Sequence, residues 1–67
     1  MAFRTLTVVA QTIRRGDWLK VDGAYYRVVD LRSRVGGRRV ELDGHAPQNL
    51  DDGVLYEVQR LQKEPYR

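Results

Sequence analysis

The run Ile13-Arg14-Arg15-Gly16-Asp17-Trp18-Leu19-Lys20-Val21-Asp22-Gly23-Ala24-Tyr25-Tyr26-Arg27-Val28-Val29-Asp30 decides the fold class of this 67-residue chain. Asp22-Gly23 between two apolar runs is a strong signal for a two-residue hairpin, because both residues tolerate the positive φ such turns need. Before the turn, Leu19 and Val21 alternate with Trp18 and Lys20, so one pair faces a core and the other faces out. After it, Tyr26 and Val28 point one way while Tyr25, Val29 and Leu31 point the other. A strand apolar on both faces is expected where a small sheet bends and one strand serves two layers.

Outward from this hairpin the punctuation repeats. Gly16-Asp17, Gly36-Gly37, Asp43-Gly44 and Asp52-Gly53 separate short β-branched and aromatic runs. These runs are Phe3 to Val9, Trp18 to Val21, Ala24 to Ser33, a fourth centred on Val40 to Leu42, and Val54 to Leu61. The pattern predicts an all-β, five-stranded SH3-like barrel over residues 1–62, followed by a polar C-terminal tail, 63–67. Leu50, Val54, Val58 and Leu61 also match helical spacing, but the alternation of Val54, Tyr56 and Val58 with Glu57 and Gln59 favours a strand. Gly44 to Asn49, with Pro47, reads as the longest loop. The expected core is Leu6, Val8, Ile13, Leu19, Val21, Tyr26, Val28, Val40, Leu42, Val54, Tyr56 and Val58.

The stretch from Ile13 to Asp30 resembles SH3-like barrels of the translation-protein type, and most nearly the KOW-like N-terminal domain of elongation factor P. In that family a glycine-rich turn and an acidic-Gly hairpin precede a Tyr-x-Val-Val strand, matched here by Gly16-Asp17, Asp22-Gly23 and Tyr26-Arg27-Val28-Val29. The likeness spans about eighteen residues and implies a fold rather than an activity. The family's loop between the middle strands bears a modified basic residue. Here that loop, Ser33-Arg34-Val35-Gly36-Gly37-Arg38-Arg39, holds no lysine, and no oligonucleotide-binding barrel follows. The role of an elongation factor is therefore not expected.

Composition removes several function classes. There is no cysteine, one histidine (His45) and one serine (Ser33), so thiolate chemistry, multi-histidine metal centres and a serine triad have no ligands or nucleophiles to draw on. His45 with Asp43, Asp51 and Asp52 matches no recognised metal spacing, and adjacent Asp51 and Asp52 face opposite ways on a strand. No phosphate-cradling glycine loop is present. The chain is expected to be non-enzymatic, with no cofactor and no metal. No apolar run approaches the roughly 20 residues of a membrane helix, and no secretory leader is evident, which makes a cytoplasmic location the expectation.

Charge then points to a partner. The net charge is +3 and the pI about 9.7. Residues 27–40 carry a net +4, while residues 41–57 carry −5 with no Lys or Arg. Ten of the twelve basic residues are arginine, whose planar fork suits phosphate. The same bias would follow from a high-GC actinobacterial or phage genome. Arg32, Arg34, Arg38 and Arg39 crowd a hairpin whose tip is Gly36-Gly37, and Arg14, Arg15 and Lys20 accompany Trp18, whose indole could stack a base. These eight residues are the candidate contacts to a DNA or RNA backbone. Two other assignments stay open: Glu41, Asp43, Asp51 and Asp52 neutralise the hairpin as surface ion pairs, and Trp18 closes one end of the barrel. The alternative partner is a protein, or a second copy meeting the segregated charge, in a small regulatory or structural subunit.

Overall fold

The computed structural model describes residues 2–62. They form strands β1 (Ala2–Val9), β2 (Trp18–Val21), β3 (Ala24–Arg34), β4 (Gly37–Leu42), β5 (His45–Asp51) and β6 (Leu55–Gln62), with a short 3-10 turn at Ala10–Thr12. All pair antiparallel in one sheet of spatial order β1-β6-β2-β3-β4-β5. The β2–β3 turn forms as the sequence predicts: Asp22 at φ 51 and Gly23 at φ 83 set Val21 opposite Ala24. Positive φ at both central residues matches the twist of the flanking strands.

β3 bends where its apolar residues change face. Its first half pairs with β2 and its second with β4. Between Val28↔Leu42 and Asp30↔Glu41 the register shifts by one residue, leaving Val29 as the extra residue of a bulge. The bulge returns Leu31 to the same side as Val28, so a single strand lines the core along two differently directed segments. Ala10, Ile13, Leu19, Val28, Val40, Leu42, Leu50 and Val58 are buried there, with Leu6, Val8, Val21, Tyr26, Leu31 and Tyr56 packed against them.

Three expectations require correction. The sheet has six strands, not five, and is open between β1 and β5 rather than closed. The additional strand is β5, in the segment expected to be a loop. Pro47 hid it, because proline cannot donate to a ladder. The ladder, however, shifts register between Leu42↔His45 and Val40↔Gln48, and Pro47 falls within that irregularity on an edge strand, where no central ladder bond is lost. Val54 is exposed rather than core, since it lies in the turn before β6, and Leu50 of β5 fills the core instead. The segment 55–62 is strand, as its alternation favoured, and pairs with both β1 and β2. The expected tail, 63–67, lies outside the described residues. No helix among those described is long and apolar enough to cross a membrane.

Candidate functional site

The hairpin arginines stand on β3 and β4, and strand parity decides where each points. Arg32 and Arg39 are direct cross-strand neighbours, an unfavourable placement of like charges unless others intervene. Carboxylates do intervene. Arg39 Nε meets Glu41 Oε2 at 3.0 Å, Arg34 Nη2 meets Asp51 Oδ1 at 2.6 Å, and Arg32 Nε lies 3.7 Å from Asp30 Oδ2. Two of the four acidic residues expected to neutralise this run, Glu41 and Asp51, thus do so. Exposed pairs of this kind contribute little to stability, but they set a carboxylate beside each of these three arginines.

Arg38 is not on an exposed tip. The turn is Val35-Gly36, and Gly37 already belongs to β4. A Cβ on Gly37 would stand 1.8 Å from the Leu50 carbonyl oxygen, so only glycine lets β4 and β5 approach here. Arg38 shares the parity of buried Val40 and turns inward. Its Nη1 donates to the carbonyl oxygens of Gln11 and Ile13 at 3.4 and 3.3 Å, and its Nε is buried without a hydrogen-bond partner among the described residues. This arginine ties the segment after β1 to β4.

The second group adjoins the first across Asp30, which contacts both Arg15 and Arg32. Trp18 is 36% exposed on the outer face, as alternation with buried Leu19 requires. Its ring meets Phe3 of β1 edge-to-face, centroids 6.3 Å apart. Phe3 is 52% exposed and sits opposite Leu61 of β6, which is 48% exposed. Arg27 is the direct cross-strand neighbour of Trp18. Beside this strip the Arg14-Arg15-Gly16 loop borders two open hollows, one lined with Arg27 and Val29, the other with Asp17, Arg60 and Leu61. Arg15 contacts Asp30 at 3.2 Å, and Lys20 lies 3.9 Å from Glu57, which also accepts the Tyr25 hydroxyl. No carboxylate among the described residues forms an ion pair with Arg14 or Arg27.

A buried ion pair holds the loop in place. Asp17 is 2% exposed. Its Oδ1 accepts Arg60 Nε at 2.9 Å, and its Oδ2 accepts Arg60 Nη2 at 2.8 Å and the Arg14 backbone N–H at 2.9 Å. Arg60 Nη2 also donates to the Thr12 carbonyl at 3.0 Å. The bidentate contact holds the Arg60 guanidinium protonated still more firmly than usual. Gly16 N–H and Asp17 C=O continue the β2–β3 ladder to Val28 at 2.8 and 2.7 Å, so the loop springs from a rigid base.

Of the eight sequence candidates, Arg14 and Arg15 line one hollow together, and Trp18 follows their loop on the outer face of β2. Lys20 shares the outer face but is engaged with Glu57. Arg32, Arg34 and Arg39 form a charge-paired surface that meets the loop at Asp30, which contacts both Arg15 and Arg32, and Arg38 turns inward. Phe3, Arg27 and Leu61 were not anticipated. Arg27 was accessible to reasoning, because a two-residue turn at Asp22-Gly23 pairs 18 with 27 by counting. Phe3 and Leu61 depend on β1 pairing with β6 across most of the chain, which no local pattern reveals. His45 opens β5 with its ring 4.6 Å from that of Tyr26, a packing contact. No group of acidic or histidine side chains suited to a metal ion occurs among the described residues. No family model, curated protein or solved structure matches this chain.

Proposed function

We propose that this protein is a small, non-enzymatic nucleic-acid-binding module that contacts its ligand through the Trp18 face rather than through the arginine hairpin. The observation that carries the reading is the placement of a half-exposed indole. Trp18 is flanked by Phe3 and Arg27 and stands at the foot of a loop presenting Arg14 and Arg15. Aromatic rings on a sheet surface stack bases irrespective of sequence, each stack contributing roughly 1–3 kcal/mol, while nearby cations contact phosphate. The resulting binding is weak and sequence-tolerant. The hairpin arginines are engaged by carboxylates and carbonyls, so they contribute a smaller share. The bent β3 and the Asp22-Gly23 hairpin support kinship with SH3-like barrels, with β2 to β6 as the five barrel strands and β1 added beside β6.

Trp18 is the single tryptophan of the chain, and its fluorescence reports the site directly. Titration with a mixed-sequence single-stranded oligonucleotide at low salt should quench it. Raising the salt should weaken binding with a logarithmic slope of about −0.7 per phosphate contacted. Unchanged fluorescence and no binding at low salt would overturn the reading.

A protein-docking role is the second reading. It is favoured by the far end of the same outer face, where Val9 and Leu55 are cross-strand neighbours and both exposed. Recovery of one specific protein by a chain that does not bind nucleic acid would replace the first reading with this one.

A further inference from the structure

The two edges of the sheet are built differently. β5 carries Pro47, an irregular register and a terminal aspartate, all features that discourage a further strand from adding. β1 has none of these. Its eight residues, Ala-Phe-Arg-Thr-Leu-Thr-Val-Val, contain no proline or glycine and a single charge, Arg4. Their register with β6 runs unbroken from Ala2↔Gln62 to Val9↔Leu55. Among the described residues β6 alone pairs with β1, so the opposite edge presents backbone donors and acceptors along a regular strand.

We infer that β1 is a self-association edge, through which two copies of this chain pair antiparallel across a two-fold axis to form one continuous sheet. The occupant is a second copy because the strand complements itself. A two-fold axis normal to the sheet sets residues of like parity opposite one another. Centred on Leu6, it places Phe3 opposite the partner's Val9 and Thr5 opposite the partner's Thr7. Centred on Thr5, it places Phe3 opposite the partner's Thr7. Arg4 meets an aliphatic side chain in both registers and never another Arg4, so no like charges oppose. Threonine, valine and phenylalanine are side chains that pair well across strands. In the register centred on Leu6, Phe3 and Val9, both exposed in the single chain, become each other's neighbours. A chain this short buries only about 60% of the surface it exposes when unfolded, and a second subunit is a common remedy. The inference does not depend on the nucleic-acid reading.

The test is sedimentation of the full chain over a range of concentrations, beside Thr5→Lys/Thr7→Lys. Both threonines are on the outer face, so the substitutions leave the core untouched, and they set lysines opposite lysines in either register. The expected result is a concentration-dependent dimer for the native chain and a monomer with unchanged circular dichroism for the variant. Because the chain has no cysteine, Thr5→Cys/Thr7→Cys provides a second measurement. Mild oxidation should join two chains by a disulfide if β1 meets β1. A native chain that remains monomeric at the highest concentration, a dimer that survives the lysines, or cysteines that fail to cross-link would each overturn the inference.

Discussion

Arg60 and Asp17 lie 43 residues apart in sequence, and the arginine closes two donors on both carboxylate oxygens of the aspartate. The pair fastens the end of β6 to the loop that precedes β2, and through the Arg14 N–H it shapes the loop itself. A buried carboxylate is tolerated only while its charge and lone pairs are satisfied. The position of Arg14 and Arg15 beside Trp18 is thus a consequence of this contact.

Arg60→Ala should therefore be severe. It leaves the Asp17 carboxylate buried without its cation, which typically costs about 3–5 kcal/mol. Domains have roughly 5–15 kcal/mol in total, so the loss is a large fraction. Urea denaturation followed by circular dichroism measures it, and an unchanged midpoint would contradict the structural role given to the pair.

Gly37→Ala should destabilise more than Gly36→Ala, although the two are adjacent. At 37 the new Cβ meets the backbone of Leu50 at 1.8 Å, and β4 and β5 must separate. Overpacking of this kind costs about 1–3 kcal/mol or more. At 36 the space is open and only the positive φ of 79° resists. Thermal melts of the two variants give the order directly.

Arg38→Ala and Arg39→Ala should separate in the same way. Arg38 supplies bonds to the Gln11 and Ile13 carbonyls, and losing the partner of the part-buried Ile13 acceptor costs about 1–3 kcal/mol. Arg39 makes one exposed pair with Glu41, and its loss should fall within about 0.5 kcal/mol. Equal denaturation midpoints for the two variants would contradict the inward placement of Arg38.

Two half-buried groups contribute to the pH dependence of stability. The Asp30 carboxyl is held below its ordinary 3.8, first by the Leu31 backbone N–H and then by Arg15 and Arg32. Its contribution is present above that ordinary value and lost as pH falls through the lower, folded one. The Tyr25 phenol is raised above 10.0, chiefly by its hydrogen bond to Glu57. Its contribution is present below the ordinary value and lost as pH rises through the higher one. Asp30→Asn should flatten the acid limb alone and Tyr25→Phe the alkaline limb alone, as read by denaturation midpoints across pH.

The portions of the fold that sequence reasoning reached are those set by neighbours in the chain. Asp22-Gly23 dictates the β2–β3 hairpin, and alternation around Leu19 and Val58 assigns inward and outward residues on β2 and β6. Arg38 was misplaced although parity held the answer, because Val40 points inward and Arg38 lies two residues before it. β5 escaped because its residues are poor strand formers and its proline is accommodated by a register shift that only the finished ladder displays. The Asp17–Arg60 pair and the Phe3–Trp18 contact depend on β6 lying between β1 and β2. That placement is set by the burial of Leu6, Val8, Val58 and Leu19 together, and no short window of sequence contains it.

The most direct measurement compares two sets of charge removals in the same binding assay. Arg14→Ala/Arg15→Ala/Arg27→Ala strips the Trp18 face, and Arg32→Ala/Arg34→Ala/Arg39→Ala strips the hairpin of an equal number of charges. Both leave the buried Asp17–Arg60 pair intact. Titrating a single-stranded oligonucleotide over a range of salt, with Trp18 fluorescence as the signal, the account predicts the larger loss from the first set. Its salt slope should become shallower by about 0.7 for each phosphate contact removed, while the second set binds nearly as the native chain does. Equal losses, or a larger loss from the hairpin set, would contradict the assignment of binding to the Trp18 face.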